Sequence, residues 1–300
     1  MKRLSATITG LLMMSFSAHA VPVCADVKGT AKDVIFLEGP NCDIAKDISD
    51  VVNEISATFG GPSVTLLIGG ASDNANFDLG HLIELPYQMI FYGRYGSEYP
   101  VPRMSVVISA AHEYGHAIFH ERFKEEFPQF ADLVAKLAKV SDVKEAKARG
   151  QATQEQLSQA MTDLTKTPSY AEFSKYLSAY SEFFADVIAV YHMQDKSAML
   201  SALYYQQMSD TDFAFARMRD FASKPTERYE AMLSEEHAKL AIARTYVGES
   251  LWPKDKLQAK RFEEKILSAI MTVVKADMKN GKSPDWKEMN DNLIAELKKK

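Results

Sequence analysis

The stretch SVVISAAHEYGHAIFHERF, Ser105–Phe123, decides how the rest of the chain is read. Its apolar residues Val106, Val107, Ile108, Ala110, Ala111, Ala117, Ile118 and Phe119 fall on most faces, which predicts a largely buried helix of about five turns. His112 and His116 are four positions apart, so both imidazoles leave that helix from one face. Two imidazoles so placed can bind one zinc ion. Glu113 follows the first histidine and stands beside the metal without pointing at it, which suits a base acting on water. Gly115 is expected to leave that side of the helix open. The bland alternative is a chance pair of surface histidines. The apolar context argues against it, because two histidines and a glutamate inside a buried helix are costly without a partner.

A catalytic zinc needs a third protein ligand. His120 is eight positions from His112, a rise of about 12 Å, too far for both to hold one ion. The metzincin extension of the motif is also missing: Phe119 stands where its glycine belongs and Arg122 where its third histidine belongs. The better source is YSEFFADVIAVY, Tyr180–Tyr191. This segment is apolar on most faces, so Glu182 and Asp186, four apart on one face, are unexpected charges. Glu182 is expected to ligate zinc. Asp186 is expected to accept the second ring N–H of a zinc-bound histidine.

HEYGH followed by a helix carrying Glu-x-x-Ala-Asp resembles the gluzincin metallopeptidases, the thermolysin-like group. The resemblance covers Ser105 to about His192. It implies that His112, His116 and Glu182 bind one Zn2+, that Glu113 is the general base, and that Asp186 orients a histidine. The spacing departs from thermolysin, since Glu182 lies 66 positions after His116. Zincins bind an extended peptide along an edge strand beside this helix, which makes His81–Leu85 the candidate strand here. Family members also place a His, Tyr or Arg against the oxyanion. His237 and Arg244, two turns apart on a helix predicted over Glu227–Tyr246, are the candidates, with Tyr246 nearby. His192, ten positions beyond Glu182, lies too far along its helix to reach the metal.

Outward from these segments, the fold class expected is α+β, mostly α, with a zincin-like core, a small N-terminal sheet and a helical C-terminal part. Val34–Leu37, Val64–Ile68 and His81–Leu85 read as strands, and Pro86 favours an edge position for the third. Asp43–Thr58 has helical spacing in Ile44, Ile48, Val51, Val52 and Ile55. Residues 129–166, interrupted at Gly150, read as a helical hairpin inserted between the ligand helices, placed to cover the cleft. Helices are also predicted from Pro168 to about Met193, over Lys254–Lys279 and over Ser283–Leu297. The division expected is an N-terminal α/β part over about 21–104, a zinc-binding helical part over about 105–250, and C-terminal helices over about 251–300.

At the N-terminus, Lys2 and Arg3, an apolar run to Phe16 and Ala18-His19-Ala20 match a secretory signal over residues 1–20, cleaved after Ala20. No later stretch is apolar enough to span a membrane, so no anchor is expected in the mature form. Loss of Lys2 and Arg3 takes the net charge from −5 to −7, a balance against a nucleic-acid partner. The two cysteines, Cys24 and Cys42, are expected to form a disulfide in a secreted or periplasmic protein. Together these readings predict a secreted zinc metallopeptidase acting on peptide or protein substrates. A cell-wall peptide amidase is the nearest rival. A non-catalytic metal-binding interaction protein is another. A third is a helical interaction protein using the stripe Leu257, Ile266, Ile270 and Val273.

Overall fold

Isoleucine and valine spacing builds the first helix, α1 (Cys42–Phe59), whose Ile44, Ile48, Val51, Val52 and Ile55 are all buried. Asn41 caps it by accepting from the Ile44 N–H at 3.3 Å. In the computed structural model the residues described are 24, 29–92, 97–204, 210–225, 233, 235–255, 258–281 and 283–299. The signal segment expected at 1–20, Leu257 and most of 226–234 therefore lie outside the described residues.

Helix α1 is the crossover between two parallel strands, β1 (Ala31–Phe36) and β2 (Val64–Ile68), as parallel pairing requires. Every residue of β2 is buried, as befits a strand covered on both faces. Short strands follow: β3 (Ala71–Ser72), β4 (Asn76–Phe77), β5 (Leu82–Leu85), β6 (Gln88–Tyr92) and β7 (Glu98–Pro100). The main sheet has the order β1-β2-β5-β4. β5 runs parallel to β2 and antiparallel to β4. The edge position expected for His81–Leu85 is thus corrected: β4 covers it, and β4 is the edge. A second ladder joins β3 to β6 in parallel and β6 to β7 antiparallel.

The two helices that carry the motifs form the centre of the molecule. They are α2 (Arg103–Glu126) and α5 (Pro168–Met193), and they run antiparallel. Phe123 meets Phe173 at 5.0 Å between ring centroids, and Phe119 meets Phe184 at 6.0 Å. Further along the crossing, Gly115 lies between the two metal-ligand candidates of α2, His112 and His116. A Cβ there would lie 2.7 Å from Ala185 Cα and 3.2 Å from its carbonyl oxygen. Gly115 is therefore needed for close approach of the two backbones, and does not open a face of the helix.

The hairpin expected at 129–166 is present as α3 (Ala131–Ala148) and α4 (Gln154–Thr165), joined through Gly150 at φ +71. Its placement differs from expectation. Ser141 donates to Asp78 Oδ2 at 2.7 Å, and His81 Nε2 lies 3.1 Å from Glu145 Oε2, so α3 is fastened to the loop before β5. None of its described residues lines the cavity between α2 and α5.

After α5 come α6 (Ala198–Tyr204), α7 (Asp210–Arg217), α8 (Ala241–Tyr246), α9 (Ala259–Asn280) and α10 (Trp286–Leu297). α9 buries Ile266, Ile270 and Val273 in the main core, so that stripe is core and not a free surface. α10 is tied to α8 by Asn290, which accepts from Ala243 N at 2.8 Å and donates to Lys239 O at 2.6 Å. Cys24 and Cys42 form a disulfide with Cα atoms 5.4 Å apart. Among the described residues, no helix is long and apolar enough to cross a membrane.

Candidate metal centre

One turn of α2 sets His112 and His116 side by side, and α5 brings Glu182 opposite them. His112 Nε2 and His116 Nε2 are 3.0 Å apart. Glu182 Oε2 lies 3.4 Å from His112 Nε2, and Oε1 lies 3.4 Å from His116 Nε2. Among the described residues this is the group of three side chains able to hold a metal ion, with ligand atoms all within 4.8 Å of one another.

The hydrogen bonds behind the rings fix their orientation. His112 Nδ1 is 3.0 Å from Asp186 Oδ1, and His116 Nδ1 is 2.8 Å from Ser181 Oγ. With Nδ1–H donating in each ring, both Nε2 lone pairs face the same point. Two such lone pairs at 3.0 Å need a proton or a cation between them. Glu182 Oε2, buried and without a hydrogen-bond partner, faces the same point. Tetrahedral ligands at about 2.0–2.1 Å from one zinc stand about 3.3 Å apart, close to all three separations here. The donor set therefore fits a zinc ion.

The electrostatics point the same way. Burial and the Arg219 charge disfavour protonation of His112, but the neighbouring carboxylates of Asp186 and Glu182 outweigh them and raise it to about 9. Burial pushes Glu182 up, yet the imidazoles of His116 and His112 hold its carboxyl well below the usual range. Burial likewise opposes ionisation of Asp186, and the Arg219 and Arg244 guanidiniums overcome it and keep it ionised. The pocket thus attracts positive charge, and a ligand histidine gives up its proton when a metal takes its place.

Glu113 is buried beside the three candidate ligands, and its Oε2 accepts from the Phe77 N–H at 2.7 Å. Phe77 belongs to the edge strand β4, so the sheet margin orients this carboxylate. A cavity of about 420 Å³ opens on the centre and reaches Asp73–Phe77, Glu113, Glu182 and His237. His237 is brought to it. Its Nδ1 lies 2.7 Å from Glu235 Oε1, and its Nε2 is 3.3 Å from Glu182 Oε2.

Arg244 is not brought to the cavity. It is fully buried behind Asp186, with Nε donating to Asp186 Oδ2 at 2.9 Å, and does not line the opening. His192 is also absent from the lining. His120 is buried between Phe77 and Phe123, its ring nitrogens have no hydrogen-bond partner, and burial lowers it to about 3. It is a neutral core side chain.

The sequence reading missed Arg219 and Ser181. Ser181 could have been found, because it precedes Glu182 and one residue's rotation along α5 turns it toward His116. Arg219 lies 107 positions from His112 and carries no spacing signal. It is buried, and its Nε donates to Asp186 Oδ2 at 3.0 Å. Comparison with protein-family models, with curated proteins and with solved structures finds no match for this chain.

Proposed function

We propose that the protein is a zinc-dependent hydrolase that cleaves peptide bonds, with His112, His116 and Glu182 as ligands and Glu113 as base. The observation that carries the reading is Glu113: a carboxylate held beside the ligand triad, in the cavity, and not part of the triad. A purely structural zinc has its fourth position closed by protein. Here three candidate ligands converge among the described residues, and a cavity adjoins them. The gluzincin resemblance supports the same assignment.

Zinc held there would polarise the scissile carbonyl and make a coordinated water more acidic. The chain's own groups do the rest. Glu113 takes a proton from the attacking water and passes it to the leaving nitrogen, and the Phe77 N–H keeps its carboxylate in place. Asp186 and Ser181 hold the two histidines in the tautomer that leaves Nε2 free. His237 lines the cavity with Nε2 3.3 Å from Glu182 Oε2, a place from which a ring N–H would donate to the developing oxyanion. Asp73–Phe77, running along the cavity to the edge strand, offers backbone to an extended peptide. The disulfide supports action in an oxidising compartment, after export directed by residues 1–20.

Glu113→Gln tests the reading. The new side-chain amide can still accept from the Phe77 N–H, and the three ligands are untouched, so zinc should stay bound. Hydrolysis of a peptide substrate should fall by about 10²–10⁴-fold. Near-parental turnover would remove Glu113 as the base.

A further inference from the structure

We propose that Arg219 is a positioning residue of the metal centre, holding His112 in its ligand orientation through Asp186. The inference rests on the metal reading above and assigns a role to a residue outside the motifs. A buried guanidinium is tolerated only when paired, and its partners reveal its task. Nε lies 3.2 and 3.0 Å from the two Asp186 oxygens, and Nη2 also binds Oδ1. The same Nη2 stands 3.2 Å from His112 Nδ1 and 3.4 Å from His112 Nε2. It therefore packs against the imidazole while gripping the carboxylate that the imidazole bonds to. The ring is held between Asp186 and the guanidinium, and its freedom to tilt away from Glu182 is removed.

Arg219 is itself held rigidly. Asp220 accepts from Ser197 Oγ at 2.8 Å and from Ala222 N at 3.0 Å, and Phe221 N donates to Lys196 O at 3.0 Å. Gly248 admits the Phe221 carbonyl, which would lie 1.9 Å from any Cβ there. The loop thus stands on the start of α6 and on the turn after α8.

Two alternatives fail on the geometry. Arg219 is the one Lys or Arg among the described residues lining the cavity, which suggests an anion receptor. Its Nε and Nη2, the two nitrogens that would form a bidentate fork on that edge, are already held by Asp186, which marks this edge as structural. Arg244 also binds Asp186, but from the Oδ2 side, and no contact joins it to either ligand histidine. Because Arg244 remains, losing Arg219 does not leave Asp186 as an unpaired buried charge.

The test is a double-mutant cycle read as zinc affinity, by competition with a chromophoric chelator, on the parent, Asp186→Asn, Arg219→Met and the double variant. Arg219→Met should bind zinc about 10- to 100-fold more weakly, as for other groups that orient a metal ligand. If it acts through Asp186, the double variant should bind no more weakly than Asp186→Asn alone. Arg219→Lys, which keeps the charge and loses the fork, should recover part of the affinity. Where Arg219→Met does not fold, Arg219→Lys in the same cycle supplies the reading. Parental affinity in the Arg219 variant, or additive losses in the cycle, would overturn the proposal. So would a lowered unfolding midpoint with zinc affinity unchanged, the signature of packing alone. A parent that binds no zinc overturns the metal reading and this inference together. A parent that binds zinc without hydrolysing peptides overturns the hydrolase reading and leaves this one standing.

Discussion

Gly115→Ala separates two opposite expectations. Helix propensity alone favours alanine over glycine by about 1 kcal/mol in a helix interior. The packing of α2 on α5 argues the other way. An added Cβ would lie 2.7 Å from Ala185 Cα, and ordinary contact begins near 3.4 Å, so the helices must part by about 0.7 Å. Overpacking of this kind costs about 1–3 kcal/mol, against the propensity gain. The net loss should be up to about 2 kcal/mol, or several degrees in unfolding midpoint for a chain of this size. The larger effect is on metal. Gly115 lies between His112 and His116, and Ala185 lies between Glu182 and Asp186, so the displacement separates the histidines from Glu182, the candidate third ligand. Metal–ligand distances tolerate only about 0.2 Å, so zinc affinity should fall by on the order of tenfold or more. The assays are thermal unfolding of metal-free protein and zinc competition with a chelator. A variant as stable as the parent that binds zinc as tightly would refute the close crossing and the argument built on it.

Other outcomes follow from the same contacts. Glu182→Ala should abolish or greatly weaken zinc binding, while Asp186→Asn should weaken it by about 10- to 100-fold; the reverse order in a zinc titration would make Asp186 the ligand. Reducing the Cys24–Cys42 bridge, which spans 18 positions, should cost about 3 kcal/mol in the loop-entropy picture, and the oxidised, denatured protein should contain no titratable thiol. Asp277 is raised to about 6 by burial and by the nearby Glu288 charge. Its folded state favours the protonated form, so the penalty is absent at low pH and grows as pH rises through 6. Asp277→Asn should therefore raise the unfolding midpoint at pH 8 and change it little at pH 4; an equal shift at both would exclude ionisation as the cause.

Periodicity made the long helices legible. The boundaries expected for α1, α2, α5 and α9 lie within a few residues of those observed, because each carries a buried stripe that only a helix presents to a core. The convergence of His112, His116 and Glu182 was legible for a related reason: charges in an apolar helix need partners, and four-residue spacing gives His112 and His116 a common face. The short strands β3, β4, β6 and β7 were not legible, since two to five residues carry too little pattern to read. That omission had a consequence, because without β4 the edge was assigned to β5. Arg244 was misplaced for a different reason. Its spacing from His237 was read on one helix, whereas α8 begins only at Ala241 and His237 sits in the turn before it. Face-sharing arguments fail where the helix does.

The reach of the Arg219 contact bears on how the protein comes to fold. His112 and Arg219 are separated by 107 positions, and closing a flexible loop of that length costs on the order of 4 kcal/mol. Interactions this distant in sequence must meet that loop-closure entropy before they stabilise anything, so they favour forming after local helices. The His112–His116 pair can form with α2 alone, whereas the group that steadies His112 arrives with the last third of the chain. Metal offered early in refolding would meet a loose two-histidine site, and tight, slowly exchanging binding would appear only with the final cooperative step.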